Sequence, residues 1–365
     1  MNTCKADVIE LEGSPAERGA AQVRAAGVDA AEVRAVLDAR YSAAATVIES
    51  EAAHRYLAGQ MAFARRHAAP EMSELDGVAA GLGIAPERLF ALLHLSILSH
   101  AFECDGCTAW ARPRPEGGAI LVKNRDLSGP HRHFQAVFRH RDPTAPGGVV
   151  LNVGTIGAPG VYSSGINGAG LALADTAIPA PRHQIGWLRY LLMTRILFTC
   201  RTVSEAIDLI GSLRHAGGGS LILADASGAV ASVELLAEGP RIDRSEPAFR
   251  TNHFLAEPLR ATEARVSAAA FTSTTGRLAN LRSRFDSGLG LGTPESIQAA
   301  MASHGPAGFC RHGEGDGAHT VSCALYTTAD RRLRVARGNP CIAPWENAAT
   351  DGEGGAADAS AGHAS

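Results

Sequence analysis

The sequence predicts an α+β fold in which a mostly helical first part is followed by a part built mainly from short strands. Up to about residue 106 the chain is rich in alanine and carries apolar residues at helical spacing, as in Leu89, Leu92 and Ile97. Beyond that point, β-type runs such as 119–123 alternate with Gly, Pro and Asp. Many strands interrupted by pairs of helices favour sheets that are covered by helical layers.

Local patterns predict the individual elements. Ser14-Pro15-Ala16-Glu17 is typical of a capping box with proline at the first helical position. Periodicity predicts helices over 187–198, 203–213, 276–284 and 294–301. Strands are predicted over 119–123, 136–139, 148–153, 170–174, 220–224, 229–235, 249–252, 320–326 and 332–336. The stretch 347–365 has no apolar period and predicts a disordered tail.

Composition excludes several classes of protein. The 365 residues are 45% hydrophobic, enough to bury a sizeable core, so disorder of the whole chain is excluded. With 34 basic and 37 acidic side chains, the formal net charge is −3, which offers no electrostatic footprint for nucleic acid or an anionic membrane. The longest apolar run, 89–102, is interrupted by polar residues, and a membrane span needs about 20 apolar residues. We expect a soluble, cytoplasmic protein that acts on a small molecule.

The seven cysteines do not predict a disulfide scaffold, because their number is odd and no export signal follows Met1. The sharpest feature is the segment 103–110, Glu-Cys-Asp-Gly-Cys-Thr-Ala-Trp, where the helical part gives way to strands. Cys104 and Cys107 form a C-x-x-C pair, typical of zinc or redox sites, but no second ligand pair at suitable spacing accompanies it. Two buried thiols are the structural alternative.

A third interpretation of this segment is self-cleavage before Cys107. Glycine leaves its carbonyl sterically open, so the thiol of Cys107 can attack the carbonyl of Gly106 and shift the acyl group from nitrogen to sulfur. Water then hydrolyses the thioester, and the new chain begins at Cys107. Its α-amine, with an ordinary pKa of about 7.7–8.0, is a suitable base for the adjacent thiol.

Seven short motifs follow one another along nearly the whole chain before the tail. They are Glu12-Gly13-Ser14-Pro15, Asp105-Gly106-Cys107-Thr108, Asn124-Arg125-Asp126, Gly165-Ile166-Asn167-Gly168-Ala169-Gly170-Leu171, Ala224-Asp225-Ala226-Ser227-Gly228 with Glu234, Thr251-Asn252-His253-Phe254 and Cys310-Arg311-His312. In order and spacing, the sequence resembles the acyl-coenzyme A:isopenicillin N acyltransferase family. This family is the autoproteolytic cysteine branch of the N-terminal nucleophile (Ntn) hydrolases.

The resemblance implies a four-layer αββα sandwich that cleaves itself between Gly106 and Cys107. The expected products are a helical α fragment, 1–106, which stays bound, and a catalytic β fragment, 107–346, followed by the tail 347–365. No metal or organic cofactor is expected. The expected partners are a small acyl amide or acyl thioester substrate and the chain's own two fragments, without nucleic acid or a membrane.

The resemblance also implies roles for five residues. Cys107 corresponds to the nucleophile, Asp126 to an aspartate that hydrogen-bonds the new α-amine, and Asn252 to the side chain of the oxyanion hole. Asn167 corresponds to an asparagine that assists the oxyanion hole in the related bile-salt hydrolases, with a plain turn residue as the alternative. Arg311 corresponds to a late arginine that anchors Asp126 or a substrate carboxylate, with an exposed arginine as the alternative.

Two positions depart from the family pattern. Lys123 stands where bile-salt relatives carry arginine, and Arg125 stands where the penicillin enzyme carries tryptophan. On a regular strand Lys123 and Arg125 share one face while Asn124 and Asp126 share the other, so the four line one site only if a bulge intervenes. We therefore do not assign Lys123 a catalytic role, and penicillin specificity is not expected.

The resulting functional prediction is a self-activated cysteine amidohydrolase or acyltransferase that acts on small N-acyl amides through an acyl-enzyme on Cys107. One alternative is a coenzyme A-dependent N-acyltransferase of natural-product biosynthesis. A second alternative is a non-enzymatic redox or metal module built on the C-x-x-C pair.

Overall fold

The computed structural model describes residues 4–98, 106–127, 133–179, 182–256, 266–288, 291–313 and 317–351. Cys104, one half of the C-x-x-C pair, and most of the expected tail lie outside the described residues. The part of the chain that is described contains two sheets and helices on both sides of them.

The helices of the described residues are α1 (Pro15–Ala25), α2 (Ala30–Ala43), α3 (Ala45–Ile48), α4 (Glu51–His67), α5 (Ala69–Leu82), α6 (Pro86–Leu93), α7 (Leu95–Leu98), α8 (Arg189–Thr199), α9 (Val203–Ser212), α10 (Ala268–Asp286) and α11 (Pro294–Met301). The predicted capping box at Ser14 is confirmed, since its side chain accepts the Glu17 amide while the Glu17 carboxylate accepts the Ser14 amide. The predicted helices of the second part are also confirmed, although α10 is longer at both ends than periodicity indicated.

The strands are β1 (Cys4–Lys5), β2 (Val8–Leu11), β3 (Gly106–Pro113), β4 (Ala119–Leu127), β5 (Gln135–Arg141), β6 (Val149–Thr155), β7 (Ser164–Asn167), β8 (Ala172–Thr176), β9 (Ser220–Ala224), β10 (Val230–Glu234), β11 (Arg241–Asp243), β12 (Ala248–Arg250), β13 (His319–Thr327), β14 (Arg332–Arg337) and β15 (Trp345–Ala349). The predicted tail is wrong at its start, because Asn347 to Ala349 pair with β14 as part of β15.

The strands form two sheets, and each sheet contains one strand from the first part of the chain and several strands from the later part. The seven-stranded sheet has the order β1-β15-β14-β13-β4-β3-β12, and the eight-stranded sheet has the order β11-β10-β9-β8-β7-β6-β5-β2. The short strands β1 and β2 precede the helices and form one edge of each sheet, where they pair in parallel with β15 and β5 from the later part of the chain. The helical first part is therefore tied into both sheets by backbone hydrogen bonds.

Three apolar cores separate four layers, in the order helix, sheet, sheet, helix. Between the sheets, Leu121 and Tyr326 of the seven-stranded sheet pack with Ile222 of the eight-stranded sheet. The outer face of the eight-stranded sheet packs under α1, α2, α5, α6, α8 and α9. The outer face of the seven-stranded sheet packs against α10 and α11, as Trp110 does against Leu281. The predicted αββα architecture is thereby confirmed.

No helix among the described residues has both the length and the apolar character needed to cross a membrane.

Helices α1 and α5 are in backbone contact where they cross, and Glu74 of α5, at this crossing, has a buried carboxyl group. A Cβ atom added to Gly19 would lie 2.2 Å from the carbonyl oxygen of Glu74, so only glycine fits this crossing. Oε1 of Glu74 accepts a hydrogen bond from the amide of Gly160 at 3.0 Å. Burial raises the pKa of Glu74 to about 7, although the nearby Arg18 guanidinium opposes the shift.

This carboxyl group predicts a pH dependence of stability. The folded protein binds more protons than the unfolded chain between the ordinary pKa of 4.5 and about 7, so the free energy of unfolding falls as pH rises through that window. Replacing Glu74 with Gln keeps an acceptor for Gly160 and removes the titration. We expect Glu74→Gln to reduce the loss of stability between pH 5 and pH 7 by up to about 3 kcal/mol, measured by urea unfolding. Parallel pH profiles for the variant and the parent protein would contradict this assignment.

Candidate active site

The pairing of β3 with β4 brings the predicted cleavage site to the predicted aspartate. Gly106 lies opposite Asp126, and Cys107 lies opposite Arg125. Opposed residues of an antiparallel pair share one face, so Cys107 projects into the space between the sheets together with Arg125 and Lys123. The thiol is buried, with 6% of the residue exposed.

Gly106 fits its position because it has no side chain. A Cβ atom there would lie 2.6 Å from Oδ2 of Asp126 and 3.1 Å from Nη1 of Arg311. Oδ1 of Asp126 accepts a hydrogen bond from the Thr320 hydroxyl at 2.7 Å, and Nη1 of Arg311 lies 4.0 Å from Oδ2. The carboxylate is thus held against the Gly106–Cys107 junction by two neighbours.

The backbone of Cys107 is held from both sides by residues distant in sequence. Its N–H donates to Oδ1 of Asn252 at 2.8 Å, and its carbonyl accepts from Nη1 of Arg277 on α10. The same guanidinium donates to the Thr108 hydroxyl at 2.8 Å and to Oδ1 of Asn252 at 3.0 Å. Nδ2 of Asn252 donates to the carbonyl of Ala177 at 2.8 Å. The structure therefore brings Cys107, Asp126, Asn252 and Arg311 into one site.

Arg277 is a site residue that the sequence reasoning missed. It is buried on a helix that was predicted, but no motif marks it, and its partners lie 25 and 170 positions away. The available signal is weak: Arg277 stands beside the apolar Leu278, and it is the arginine of α10 that lies on the buried side of the helix. Thr320 was likewise missed, because it was read only as part of a strand.

Asn167 lies in the turn between β7 and β8, and the structure does not bring it to Cys107. Its Oδ1 accepts the amides of Ala169 and Leu171, both at 3.1 Å. Its Nδ2 donates to the carbonyls of Leu197 at 3.0 Å and Cys200 at 2.8 Å. The amide group is thus fully used in tying the turn to the end of α8, which matches the alternative interpretation as a turn residue.

Strand alternation places Lys123 and Arg125 on the side of Cys107. Asn124 points the opposite way, where Nδ2 donates to the carbonyls of Met301 and Phe309 in the helical layer. Opposite the end of β4, the neighbouring strand β13 has a register shift between Thr320 and Ser322. Asp126, Arg125 and Lys123 all line one cavity with Cys107, whereas Asn124 does not.

Lys123 faces the thiol but is already paired. Its ammonium group contacts Oδ1 of Asp175 and donates to the carbonyl of Ser163 at 3.2 Å. The other oxygen of Asp175 accepts from Nε of Arg189 at 2.8 Å. All three charged groups are buried. Burial opposes ionisation of Asp175, but the two cations lower the pKa of this carboxyl below its ordinary value.

Arg125 is also held in place from the eight-stranded sheet. Nη1 donates to Oε1 of Gln135 at 3.0 Å and to the hydroxyl of Thr155 at 2.8 Å, and the guanidinium lies 5.1 Å from the ring centre of Tyr162. Both cations lie near the thiol of Cys107, yet burial raises the pKa of that thiol above its ordinary value, and Asp175 and Asp126 add to the effect. The thiol is therefore protonated at neutral pH and needs a base to react.

Two adjoining cavities meet at the site. The first is walled by apolar residues of α2 and α6, including Leu37, Leu89 and Leu93, and has Cys107 and Arg125 on its polar side. The second is lined by Asn252, Arg277 and Arg311, by part of α10, and by apolar residues such as Leu95 and Val266. Both cavities share a border formed by Arg40, Leu92, Leu93, Tyr162, Ala177 and Tyr190. Each cavity combines apolar walls with charged groups, and together they can hold a molecule that extends into both from the thiol of Cys107.

Comparison with known proteins gives one family match. Residues 114–341, more than half of the chain, match the family described as acyl-coenzyme A:6-aminopenicillanic acid acyl-transferase, and this match begins after Cys107. No curated protein matches the chain.

Solved structures with a similar arrangement include two mutant forms of conjugated bile acid hydrolase from Clostridium perfringens. Each is 13% identical, with TM-scores of 0.41 and 0.42, and the matches cover 66% and 67% of this chain and 96% and 97% of theirs. Penicillin V acylase from Agrobacterium tumefaciens is 14% identical, with a TM-score of 0.36, and covers 63% of this chain and 83% of its own.

The buried Lys123–Asp175–Arg189 group predicts a large stability effect. Asp175→Asn leaves two buried cations without their counter-charge, which costs about 3–5 kcal/mol in the free energy of unfolding. Urea unfolding at constant m-value measures the change. The matched control is Glu238→Gln, which removes the carboxylate from an exposed pair with Arg182 and is expected to cost less than about 1 kcal/mol. Equal effects in the two variants would show that the buried group does not stabilise the fold.

Proposed function

The chain belongs to the acyl-coenzyme A:6-aminopenicillanic acid acyl-transferase family, and we propose that it is a self-activated Ntn enzyme acting on small N-acyl amides through an acyl-enzyme on Cys107. The observation that carries this proposal is the junction itself. A buried cysteine thiol follows a glycine that lies directly against the carboxylate of Asp126.

Activation begins with attack of the Cys107 sulfur on the carbonyl carbon of Gly106. The sulfur loses its proton, the peptide C–N bond breaks, and the nitrogen of Cys107 takes up a proton to become an amine. Water hydrolyses the resulting thioester to a Gly106 carboxylate and restores the thiol. The hydrogen bonds from Cys107 N–H to Asn252 and from Arg277 to the Cys107 carbonyl hold the backbone while this bond changes.

The free amine then acts as the base for the thiol. Its ordinary pKa of about 7.7–8.0 is suited to proton transfer at neutral pH, whereas burial raises the pKa of the thiol and disfavours spontaneous ionisation. Oδ1 of Asn252 already accepts from this nitrogen, and the carboxylate of Asp126 lies beside Gly106, next to the bond that would break. Both groups are placed to orient the amine.

The amide of Asn252 also supplies an oxyanion donor. Nδ2 carries two N–H bonds, one of which donates to the carbonyl of Ala177. The other is the donor we assign to the oxyanion that forms when the thiol attacks a substrate carbonyl. In a site closed to bulk water, such a donor stabilises the developing charge strongly.

The two cavities suggest how a substrate lies. We assign the acyl chain to the first cavity, against Leu37, Leu89 and Leu93, and the amine portion to the second cavity, near Arg277 and Arg311. An N-acyl amine with a small apolar acyl group can occupy both cavities at once. The acyl-enzyme is then released by water or by a second amine.

Acyl transfer from a coenzyme A thioester to an amine is the second candidate, and the description of the matched family favours it. Both reactions share the acyl-enzyme, so they differ only in the acceptor. Turnover of an acyl thioester that requires an added amine identifies the transferase, whereas release of the free acid from an N-acyl amine identifies the hydrolase.

Self-cleavage is tested by the denatured intact mass of the full-length protein. We expect fragments of roughly 11 and 27 kDa, with Cys107 at the start of the larger one. Cys107→Ala is expected to remain one uncut, inactive chain. Cys200→Ala, at a buried cysteine in another part of the fold, is the matched control and is expected to cleave normally. An active or cleaved Cys107→Ala protein would remove Cys107 from both roles.

The oxyanion role of Asn252 is tested by steady-state kinetics on cleaved protein. Asn252→Ala is expected to lower kcat by roughly 10²–10³ while the protein remains folded by circular dichroism. Asn280→Ala, in which the lost amide donates to the carbonyl of Ala307, is the control and should leave kcat unchanged. If Asn252→Ala retains the parent kcat, the donor must come from another group.

A further inference from the structure

Four metal-ligating side chains converge outside the candidate active site. His304 follows α11, Cys310 and His312 flank Arg311, and Cys341 follows β14. One ligand atom from each of the four lies within 4.8 Å of the other three. No catalytic step proposed above uses any of these four side chains.

Four of the six distances between the ligand atoms are close to those of a tetrahedral zinc site, and the other two lie within 4.8 Å. Zinc–sulfur bonds of about 2.3 Å and zinc–nitrogen bonds of about 2.0–2.1 Å give edges of about 3.8 Å between two sulfurs, about 3.6 Å between sulfur and nitrogen and about 3.3 Å between two nitrogens. Here Sγ of Cys310 and Sγ of Cys341 are 3.6 Å apart, and Nε2 of His304 and Nε2 of His312 are 3.2 Å apart. Nε2 of His312 lies 3.6 Å from Sγ of Cys310 and 3.1 Å from Sγ of Cys341.

We propose that His304, Cys310, His312 and Cys341 bind one zinc ion in a structural Cys₂His₂ site. Two thiolates and two imidazoles in tetrahedral arrangement are the donor set that zinc prefers over magnesium or calcium. On binding, the two thiols release two protons, and the two thiolates neutralise the charge of the ion. With four protein ligands the ion has no open position, so its role is structural.

The side chain of Asn339 contacts one of the proposed ligands and holds it in place. Nδ2 of Asn339 lies 3.6 Å from Sγ of Cys310 and donates to the carbonyl of Arg311 at 2.7 Å. An N–H donor directed at a metal thiolate stabilises its negative charge and fixes its orientation. The same asparagine thus ties the ligand Cys310 to the residue that follows it.

A disulfide between Cys310 and Cys341 is the competing use of these thiols. A covalent S–S bond is about 2.05 Å, much shorter than the 3.6 Å between the two sulfurs here. A disulfide also assigns no role to the two imidazoles that meet beside it. The four-ligand geometry therefore favours a metal over an oxidised pair.

The sequence did not reveal this cluster because its spacing is His-x₅-Cys-x-His-x₂₈-Cys. The last ligand, Cys341, reaches the others because the β13–β14 hairpin returns the chain to them, so it forms no local ligand pair that a sequence pattern could detect. No metal was expected from the sequence, so the proposed zinc ion departs from that expectation, although it takes no part in the proposed catalysis.

The test is the zinc content of full-length, tag-free protein purified with a reductant and without chelator, measured by inductively coupled plasma mass spectrometry. We expect one zinc per chain in the parent protein. Cys341→Ser is expected to lower the content at least ten-fold, while the control Cys200→Ala keeps it. Cobalt exchanged into the parent should produce a thiolate charge-transfer absorption that is absent in Cys341→Ser.

Three results would each overturn the proposal. One is a reduced parent protein that holds no zinc and takes up none from added zinc chloride. Another is zinc retained at full content in Cys341→Ser. The third is a metal-free protein with a Cys310–Cys341 disulfide by mass spectrometry, which would identify a redox pair instead. Should Cys341→Ser fail to fold, His304→Ala removes an exposed ligand, and an unchanged cobalt spectrum in that variant counts equally against the site.

Discussion

The antiparallel register of β3 with β4 is the constraint on which the candidate site depends. It sets Gly106 against Asp126 and turns the thiol of Cys107 toward the space between the sheets. On the other side of β4, β13 supplies the Thr320 hydroxyl that holds the same carboxylate. A shift by one residue would turn the thiol into the layer of α10 and α11 and away from its cavity. Because three hydrogen-bonded strands carry the site, its geometry has the rigidity of the sheet.

The part of the chain before Gly106 contributes directly to this site. Strands β1 and β2 complete one edge of each sheet, and helices α2 and α6 provide the apolar wall that faces Cys107. Neither part can bury its apolar faces without the other. A break between Gly106 and Cys107 would therefore leave the two fragments joined by backbone hydrogen bonds and by three apolar cores. The fragment before Cys107 would still form the apolar wall of the cavity that faces the thiol.

Local patterns predicted the layers and the order of motifs predicted most of the site. Cys107, Asp126 and Asn252 were found because short motifs around them have recognisable order, and the contacts place all three together. Asn167 was assigned by the same reasoning, yet its amide group is fully used by the backbone of its own turn and by carbonyls at the end of α8. Arg277 was missed because its contacts depend on how α10 lies on the sheet, which no local spacing records. Sequence patterns thus identify residues that lie in recognisable motifs, such as Asn252, better than residues such as Arg277 whose contacts depend on packing between layers.

The cluster around Cys310 and the candidate active site share one short segment, so the proposed zinc ligands lie next to a residue of the proposed active site. Arg311 lies between two proposed zinc ligands, while its amide donates to Thr320 at 2.8 Å and its guanidinium approaches Asp126. The Thr320 hydroxyl in turn donates to Asp126. A segment held at both neighbours of Arg311 has little freedom to move that residue, so an ion bound there would fix the carboxylate without touching substrate. The zinc ion would then hold a residue of the proposed active site in position, while the proposed reaction itself involves no metal.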